Sequence, residues 1–199
     1  MLGLPKQTEM NKQLPKTVLY SKFNMNFSER NKIDEDISKM VLVNEITEAS
    51  INISKGEKVK SFYILYVLLK KKDFNENNII KISKLIPQNI LFVLEHDKQY
   101  KLAIYHNKLL QTDWSKEPTI EIKGLDLDKL WDNIVIQVGN IIIENNNTID
   151  KQMEMDERKD KLLKEIVRLE QKARSEKQPK KKFELVQKKR ELEKRYELD

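Results

Sequence analysis

The apolar and polar residues in the middle of the chain follow the pattern of strands separated by a helix. Residues 59–70, VKSFYILYVLLK, are apolar almost throughout and rich in β-branched and aromatic side chains. This composition predicts a strand that is buried on both faces. Residues 75–87 carry isoleucines at helical spacing and end at a proline, which predicts a helix. NILFVLE and QYKLAIYH, joined by the polar HDK, then predict a β-hairpin.

The segments on either side of this region predict helices and further strands. In residues 1–40, Pro5 and Pro15 each suit the first turn of a short helix, and Ser28 suits the cap of another helix. Beyond the hairpin, KLLQTDW and TIEIK predict one or two more strands. GLDLDKLWDNIVIQV then places its leucines, isoleucine and valine on one face, which predicts an amphipathic helix.

After residue 147 the composition becomes strongly charged. A helix is predicted over about 150–178, with apolar residues near heptad spacing, and Pro179 ends it. A second charged helix follows, and the short turn between the two predicts an antiparallel hairpin. A hairpin of this kind has little core of its own, so its apolar residues are the expected contacts with a partner protein. These residues are Leu162, Ile166, Leu169, Phe183, Val186 and Leu192.

The predicted fold class is therefore α+β. Short N-terminal helices are expected to pack on a mainly antiparallel sheet, and a coiled-coil-like antiparallel helical hairpin is expected at the C-terminus. We predict a body of residues 1–147 and a charged hairpin extension of residues 148–199.

The composition excludes several kinds of chemistry. The chain has no cysteine, which excludes disulfides, thiolate catalysis and cysteine-ligated zinc. It has only four glycines, and they do not form a phosphate-binding loop or a dinucleotide fingerprint. No apolar stretch approaches the roughly 20 residues that a membrane-spanning helix needs, so we expect a cytoplasmic protein without a membrane partner.

The positive charge is concentrated near the C-terminus. Residues 151–199 hold 17 Lys and Arg against 12 Asp and Glu, whereas residues 1–150 hold 21 against 20. Many of the helical charges form acid-before-base pairs at i,i+4 spacing, which stabilise exposed helices. The unpaired excess lies at the turn, where phosphate contact is the functional interpretation. The predicted nucleic-acid-binding residues are Lys177, Lys180, Lys181, Lys182, Lys189 and Arg190.

Four stretches of the chain resemble one prokaryotic family. These are LGLPKQTEMNKQLPK near the start, IPQNILFVLE, GLDLDKLWDNIVIQV and ARSEKQPKKKFELV. Together they resemble the domain-of-unknown-function family DUF4391 over nearly the whole chain. The resemblance implies no established activity. It implies a genomic context, because members tend to be encoded beside DNA methyltransferases and helicase-type restriction subunits of phage-defence loci.

One enzymatic alternative rests on a magnesium-dependent nuclease pattern. Many restriction-type nucleases use an Asp followed by Glu-x-Lys on a strand, with the carboxylates holding magnesium and the lysine activating water. Asp113 followed by Glu121 and Lys123 fits that order. On a strand the last two would project to the same face. An ordinary amphipathic strand would show the same alternation.

Two other groups of residues could bind a metal, and each has a simpler explanation. Asp126 and Asp128 could be paired carboxylate ligands, but capping of the following helix explains them better. His96 and His106 are the only histidines, and a two-residue hairpin loop could place them opposite each other on adjacent strands. No metal site is predicted, and magnesium is the expected cofactor only if the nuclease alternative holds.

Three functions are compatible with these observations. The leading hypothesis is a non-catalytic accessory subunit of a restriction-like defence complex, docked on a helicase or methyltransferase partner and contacting DNA through the basic hairpin. The second is the magnesium-dependent nuclease. The third is a homo-oligomeric scaffold assembled through the hairpin. The sequence leaves the oligomeric state open.

Overall fold

The computed structural model describes residues 2–198, with side chains described as far as residue 196. The chain forms two compact units, Met1–Asn140 and Ile141–Asp199. The sequence pattern had placed this boundary between residues 147 and 148. Each unit has its own secondary structure and is described by itself.

The first unit is built on a six-stranded sheet in which the strands lie in the order of the sequence. Neighbouring strands are antiparallel except for the central pair, the third and fourth strands, which are parallel and are linked by a crossover helix. The strands are β1 (Glu9–Gln13), β2 (Ile37–Thr47), β3 (Ser61–Leu69), β4 (Asn89–His96), β5 (Gln99–His106) and β6 (Lys108–Gln111). The expected mainly antiparallel sheet is confirmed.

Five helices accompany this sheet, after a short 3-10 turn at Lys6–Thr8. They are α1 (Lys16–Lys22), α2 (Phe27–Asp36), α3 (Glu48–Ile51), α4 (Glu76–Ser83) and α5 (Leu127–Gly139). The α4 helix is the crossover between β3 and β4, and the Asn75 side chain caps it. The predicted helix within residues 75–87 is therefore confirmed.

Apolar side chains are buried on both faces of the sheet. On one face, residues of α1, α2 and α4 join alternate residues of the central strands in one cluster, which includes Leu19, Ile33, Ile79 and Phe92. On the opposite face, the ring of Phe62 lies 5.1 Å from the ring of Trp131 in α5. The nearly continuous apolar sequence of β3 follows from this arrangement, because both faces of that strand are covered.

The N-terminal forty residues match the helical prediction only in part, since Pro15 directly precedes α1 and residues 27–36 form α2. Pro5 precedes only the 3-10 turn, and the chain then enters β1, a polar edge strand that pairs with β2. The cap of α2 is Asn26, which exchanges hydrogen bonds with Glu29, whereas Ser28 lies inside that helix. An edge strand with polar side chains has no apolar alternation, because its stability comes from backbone pairing on one side.

Of the two further strands predicted, KLLQ forms β6, whereas TIEIK, residues 119–123, is not a strand, which corrects that part of the prediction. Its backbone pairs with amide side chains of α5 instead of a neighbouring strand. The Gln137 side chain accepts from the Glu121 N–H at 2.8 Å and donates to the Glu121 carbonyl at 3.0 Å. Asn133 donates to the carbonyl of Lys123 at 2.7 Å. These amides satisfy the polar groups that a strand partner would otherwise satisfy.

The second unit contains two charged helices, α6 (Ile149–Ser175) and α7 (Pro179–Leu198). At 1.5 Å per residue, α6 is about 40 Å long. The Thr148 side chain caps α6, and Pro179 is the first residue of α7, where its missing N–H is tolerated. The predicted C-terminal pair of helices is confirmed. No helix within residues 2–198 is long and apolar enough to cross a membrane.

Candidate partner and nucleic-acid interface

A short apolar seam holds α6 and α7 together. Ile166 and Leu169 of α6 and Leu192 of α7 are buried against each other, with Leu162 and Leu185 packed beside them. Four of the six predicted partner-binding residues therefore lie in or beside this seam. The remaining two differ in exposure, since Phe183 is 63% exposed and Val186 is half-buried.

The two helices meet at a tight corner. The Glu176 N–H donates to the Lys172 carbonyl at the end of α6, and the Glu176 carboxylate accepts from the Gln178 N–H at 2.9 Å. The Gln178 carbonyl in turn accepts from the Lys182 N–H at the start of α7. This chain of hydrogen bonds fixes residues 176–182, so the lysines in that segment project from an ordered backbone.

Several charged residues on the flanks of the hairpin form ion pairs. Arg174 lies 2.8 Å from the Glu170 carboxylate, one turn earlier in α6. Lys189 of α7 lies 3.9 Å from the same carboxylate and 3.3 Å from Glu193, and its side chain is 25% exposed. Lys189, one of the predicted phosphate contacts, thus ties the two helices together. Arg190, next to it in sequence, is exposed.

The lysines at the corner have a different environment. Lys177, Lys180, Lys181 and Lys182, which we call the corner lysines, are all exposed. Among residues 2–196, no carboxylate lies within ion-pairing distance of any of them. Three of them occupy the first turn of α7, where the helix dipole disfavours positive charge and where no acidic residue is present. Their positions therefore do not stabilise the helix on which they lie.

An open groove of about 560 Å³ lies between the helices beside the corner. It has a mixed lining of acidic, basic and apolar side chains, in which each glutamate partly offsets the neighbouring lysines. The lining residues are Lys172, Ser175, Glu176, Lys181, Glu184, Leu185 and Lys188.

The three residues of the nuclease pattern lie on exposed segments of the first unit. Asp113 is exposed after β6, and Glu121 forms an ion pair with Lys123 on the extended segment beside α5. Both side chains of that pair are mostly exposed, at 67% and 72%. Within the described residues no group of three or more His, Asp or Glu is placed to hold a metal ion. The nuclease assignment stays a prediction from the sequence.

His96 of β4 lies beside the first residue of β5, whereas His106 is at the far end of β5. His96 ends β4 and pairs with Gln99 across a turn at Asp97 and Lys98, both of which have positive φ. His106 is the last residue of β5 and pairs with Lys108 of β6. The expectation that the two histidines face each other is wrong, because the register places each beside a different partner.

The two aspartates before α5 have separate structural tasks. Asp126 is the cap of α5 and accepts from the Lys129 N–H at 2.8 Å, as the capping interpretation predicted. The Asp128 carboxylate accepts from three consecutive backbone N–H groups, those of Glu57, Lys58 and Val59. A side chain at Gly56 would overlap that carboxylate. Asp128 thus anchors the loop before β3 to the start of α5.

This anchoring predicts a specific dependence of stability on pH. The backbone N–H groups of Val59, Lys58 and Glu57 lower the pKa of Asp128 below its ordinary value. A lowered pKa contributes stability above the pKa of the unfolded chain, about 3.9, and this contribution is lost as the pH falls through the folded value. We expect Asp128→Asn to lower the urea midpoint at pH 7. The difference from wild type should shrink below about pH 4. A difference that is constant from pH 7 to pH 3 would contradict the role of the charge.

Comparison with known families places the chain in one family. The model of the family described as a domain of unknown function, DUF4391, matches residues 2–195. The chain belongs to the DUF4391 family. No protein of curated function and no solved structure is significantly similar to this DUF4391 chain. Its function therefore has to be inferred from its own residues.

Two features of this DUF4391 protein were not singled out by the sequence pattern. The Asp36 carboxylate is buried and joins three segments of the chain. Trp114 lies half-buried beneath the ammonium groups of two lysines, Lys72 and Lys101. The sequence gives only a weak signal for the second feature, namely the run of lysines at residues 70–72. Lys101 and Trp114 lie far from that run in the chain.

Proposed function

We propose that this DUF4391 protein is a non-catalytic accessory subunit of a restriction-like antiphage defence complex. It docks on a helicase or methyltransferase-type subunit and contacts DNA through its C-terminal hairpin. The observation that carries the DNA contact is the set of corner lysines, which are exposed and lack a carboxylate partner within residues 2–196. The sequence resemblance to proteins encoded beside helicases and methyltransferases supports the choice of partner.

The placement of the corner lysines supports a role in binding rather than in folding. Lysines that stabilise an exposed helix lie near its C-terminus or one turn after a glutamate. Arg174 on α6 fits that description, since it pairs with Glu170. Lys180, Lys181 and Lys182, in the first turn of α7, fit neither description. Unneutralised ammonium groups of this kind attract phosphate by releasing counterions from DNA.

Exposed apolar side chains on the hairpin support docking on a protein partner. Leu163 and Val167 are 46% and 45% exposed and lie one turn apart on α6, outside the seam. Phe183 of α7 is 63% exposed. A two-helix unit with so small a seam gains stability when such residues are covered by another protein.

Co-expression with the products of the neighbouring genes tests the proposal directly. A tagged copy of this protein is expected to retain a helicase or methyltransferase subunit through purification. The purified protein is also expected to bind duplex DNA at about 50 mM salt and to release it near 200 mM. If it neither retains a neighbouring product nor binds DNA at low salt, the proposal fails.

Neutralising the corner lysines is expected to weaken DNA binding without disturbing partner retention. In the variant with Lys177, Lys180, Lys181 and Lys182 all changed to Gln, four phosphate contacts are lost. The slope of log affinity against log salt concentration is then expected to become shallower by about 3.6, at 0.9 per contact. Fluorescence anisotropy of a labelled duplex at several salt concentrations measures this slope.

A control variant with the same change in net charge distinguishes DNA binding at the corner from general electrostatic attraction. The control changes four other exposed basic residues of α6 to Gln and so removes the same charge away from the corner. These residues are Lys151, Lys161, Lys164 and Arg168. This variant is expected to keep most of the wild-type slope. If the slope fell equally in both variants, DNA binding would depend only on net charge, and the corner would have no special role.

A further inference from the structure

Trp114 in the first unit forms an aromatic platform with two basic side chains over it. The Lys72 ammonium lies 5.5 Å from the centre of the Trp114 ring, and the Lys101 ammonium lies 5.4 Å from it. The inner part of Trp114 packs against the apolar cluster beneath α1, α2 and α4. Two positive charges therefore lie over one indole ring at the edge of a packed core.

Hydrogen bonds to β5 fix the backbone on both sides of the tryptophan. The Thr112 N–H donates to the Leu102 carbonyl at 3.0 Å. Ser115 and Tyr100 exchange two backbone hydrogen bonds, at 2.7 and 2.8 Å. Trp114 lies between these two attachments, so its ring is held on a rigid support. Such support lowers the entropy that is lost when a ligand binds to the ring.

The two lysines have no carboxylate partner among residues 2–196. Lys72 contacts the indole and donates to the Gln99 side chain at 2.9 Å, and Lys101 contacts the indole. The neighbouring Lys71 differs, because it forms an ion pair with buried Asp36 at 2.8 Å. Asp113, next to Trp114 in sequence, is exposed. The platform thus combines a flat apolar ring with uncompensated positive charge.

We propose that Trp114, Lys72 and Lys101 form a binding site for single-stranded nucleic acid. A base stacks on the indole ring, and the two ammonium groups move on their flexible stems to the phosphates on either side of that base. Aromatic rings supply this kind of stacking to every base, and basic residues track the backbone. An acidic peptide would satisfy the lysines but would leave the indole unused, so the combination favours nucleic acid. This site is on the sheet-containing unit and does not depend on the hairpin contact proposed above.

Tryptophan fluorescence gives a direct readout, because the chain has only two tryptophans. Trp131 is buried against Phe62, so the Trp131→Phe variant leaves Trp114 as the sole emitter. Titration of this variant with an oligothymidine is expected to quench its emission. Polyglutamate, used as a second titrant of similar charge, is expected to leave the emission nearly unchanged. Equal quenching by both polymers would assign the site to acidic peptides and overturn the proposal.

Binding measurements with a labelled oligothymidine separate stacking from charge. Trp114→Ala is expected to weaken binding about tenfold, and Trp114→Phe, which keeps an aromatic face, is expected to lose much less. Changing both Lys72 and Lys101 to Gln is expected to make the salt slope shallower by about 1.4, at 0.7 per single-strand contact. The matched control changes Lys12 and Lys39 to Gln, since both are exposed and lie on β1 and β2.

The outcomes distinguish this proposal from the proposed hairpin contact. The variant that neutralises the corner lysines is expected to lose duplex binding and to retain the quenching of Trp114 by oligothymidine. The Trp114→Ala variant is expected to retain duplex binding and to lose affinity for the labelled oligothymidine. If Trp114→Ala and Trp114→Phe both bind the single strand as wild type does, with an unchanged thermal midpoint, the platform is not a nucleic-acid site.

Discussion

Replacing Leu169 by alanine is expected to destabilise the helical hairpin by about 3 kcal/mol, because it removes a buried side chain from a very small seam. Within the described residues the seam has three buried large apolar side chains, and Leu169 packs in one cluster with Ile166 and Leu192. Two helices of this length are marginal in water without packing. The amides of α6 and α7 are therefore expected to lose most of their protection from hydrogen exchange, with the amides of β3 as the internal reference.

Leu163→Ala is the matched control for this experiment. It makes the same chemical change on the same helix, but Leu163 is 46% exposed and lies outside the seam. Its effect is expected to stay within about 0.5 kcal/mol. If Leu163→Ala removed as much protection as Leu169→Ala, the seam would have to lie on a different face of α6. The same pair of variants also tests whether DNA affinity requires a folded corner, because both retain every lysine.

Replacing Asp36 by alanine is expected to destabilise the first unit by about 3 kcal/mol, since it leaves buried donors without an acceptor. The carboxylate of Asp36 accepts from the Asn75 backbone N–H and from the Asn78 side chain, each at 2.8 Å. It also forms the ion pair with Lys71 at 2.8 Å. One side chain thus connects the end of α2, the loop after β3 and the start of α4. Urea unfolding followed by circular dichroism measures the loss.

Two further variants identify which of these contacts matters most. Asp36→Asn keeps an acceptor of the same shape and is expected to fall between wild type and Asp36→Ala. Lys71→Gln removes only the ion pair and is expected to have a much smaller effect, because the Lys71 side chain is half exposed. A loss in Lys71→Gln as large as that in Asp36→Ala would show that the ion pair, and not the hydrogen-bonded donors, holds the three segments together.

The elements that the sequence predicted well depend on short-range physical chemistry. β3 could be identified because it is covered on both faces and reads as an unbroken apolar run. The β4–β5 hairpin and α5 are marked by a polar turn and by a capping aspartate, Asp126. The corner of the C-terminal hairpin was also predictable, since Pro179 interrupts the charged sequence and is the first residue of the second helix, while the first helix ends at Ser175. The sequence also identified the four corner lysines. The tertiary structure added that, among residues 2–196, no carboxylate forms an ion pair with them.

The elements that the sequence mispredicted depend on partners far away in the chain. β1 is polar and looks unlike a strand, because only its pairing with β2 stabilises it. Residues 119–123 alternate like a strand, but Gln137 and Asn133 of α5 occupy their backbone groups. In both cases the local pattern was ambiguous, and the choice was made by which hydrogen-bonding partner the fold supplied.

The same division applies to the two proposed binding sites. The sequence by itself determined the α+β class, the charged hairpin and the lysines at its corner, because periodicity, proline and net charge act over a few residues. Only the tertiary structure brought Lys72, Lys101 and Trp114 together, since they come from the turn after β3, from β5 and from the loop after β6. Residues so far apart in the chain become neighbours through the pairing of strands, and that pairing is decided by long-range burial and register rather than by local sequence.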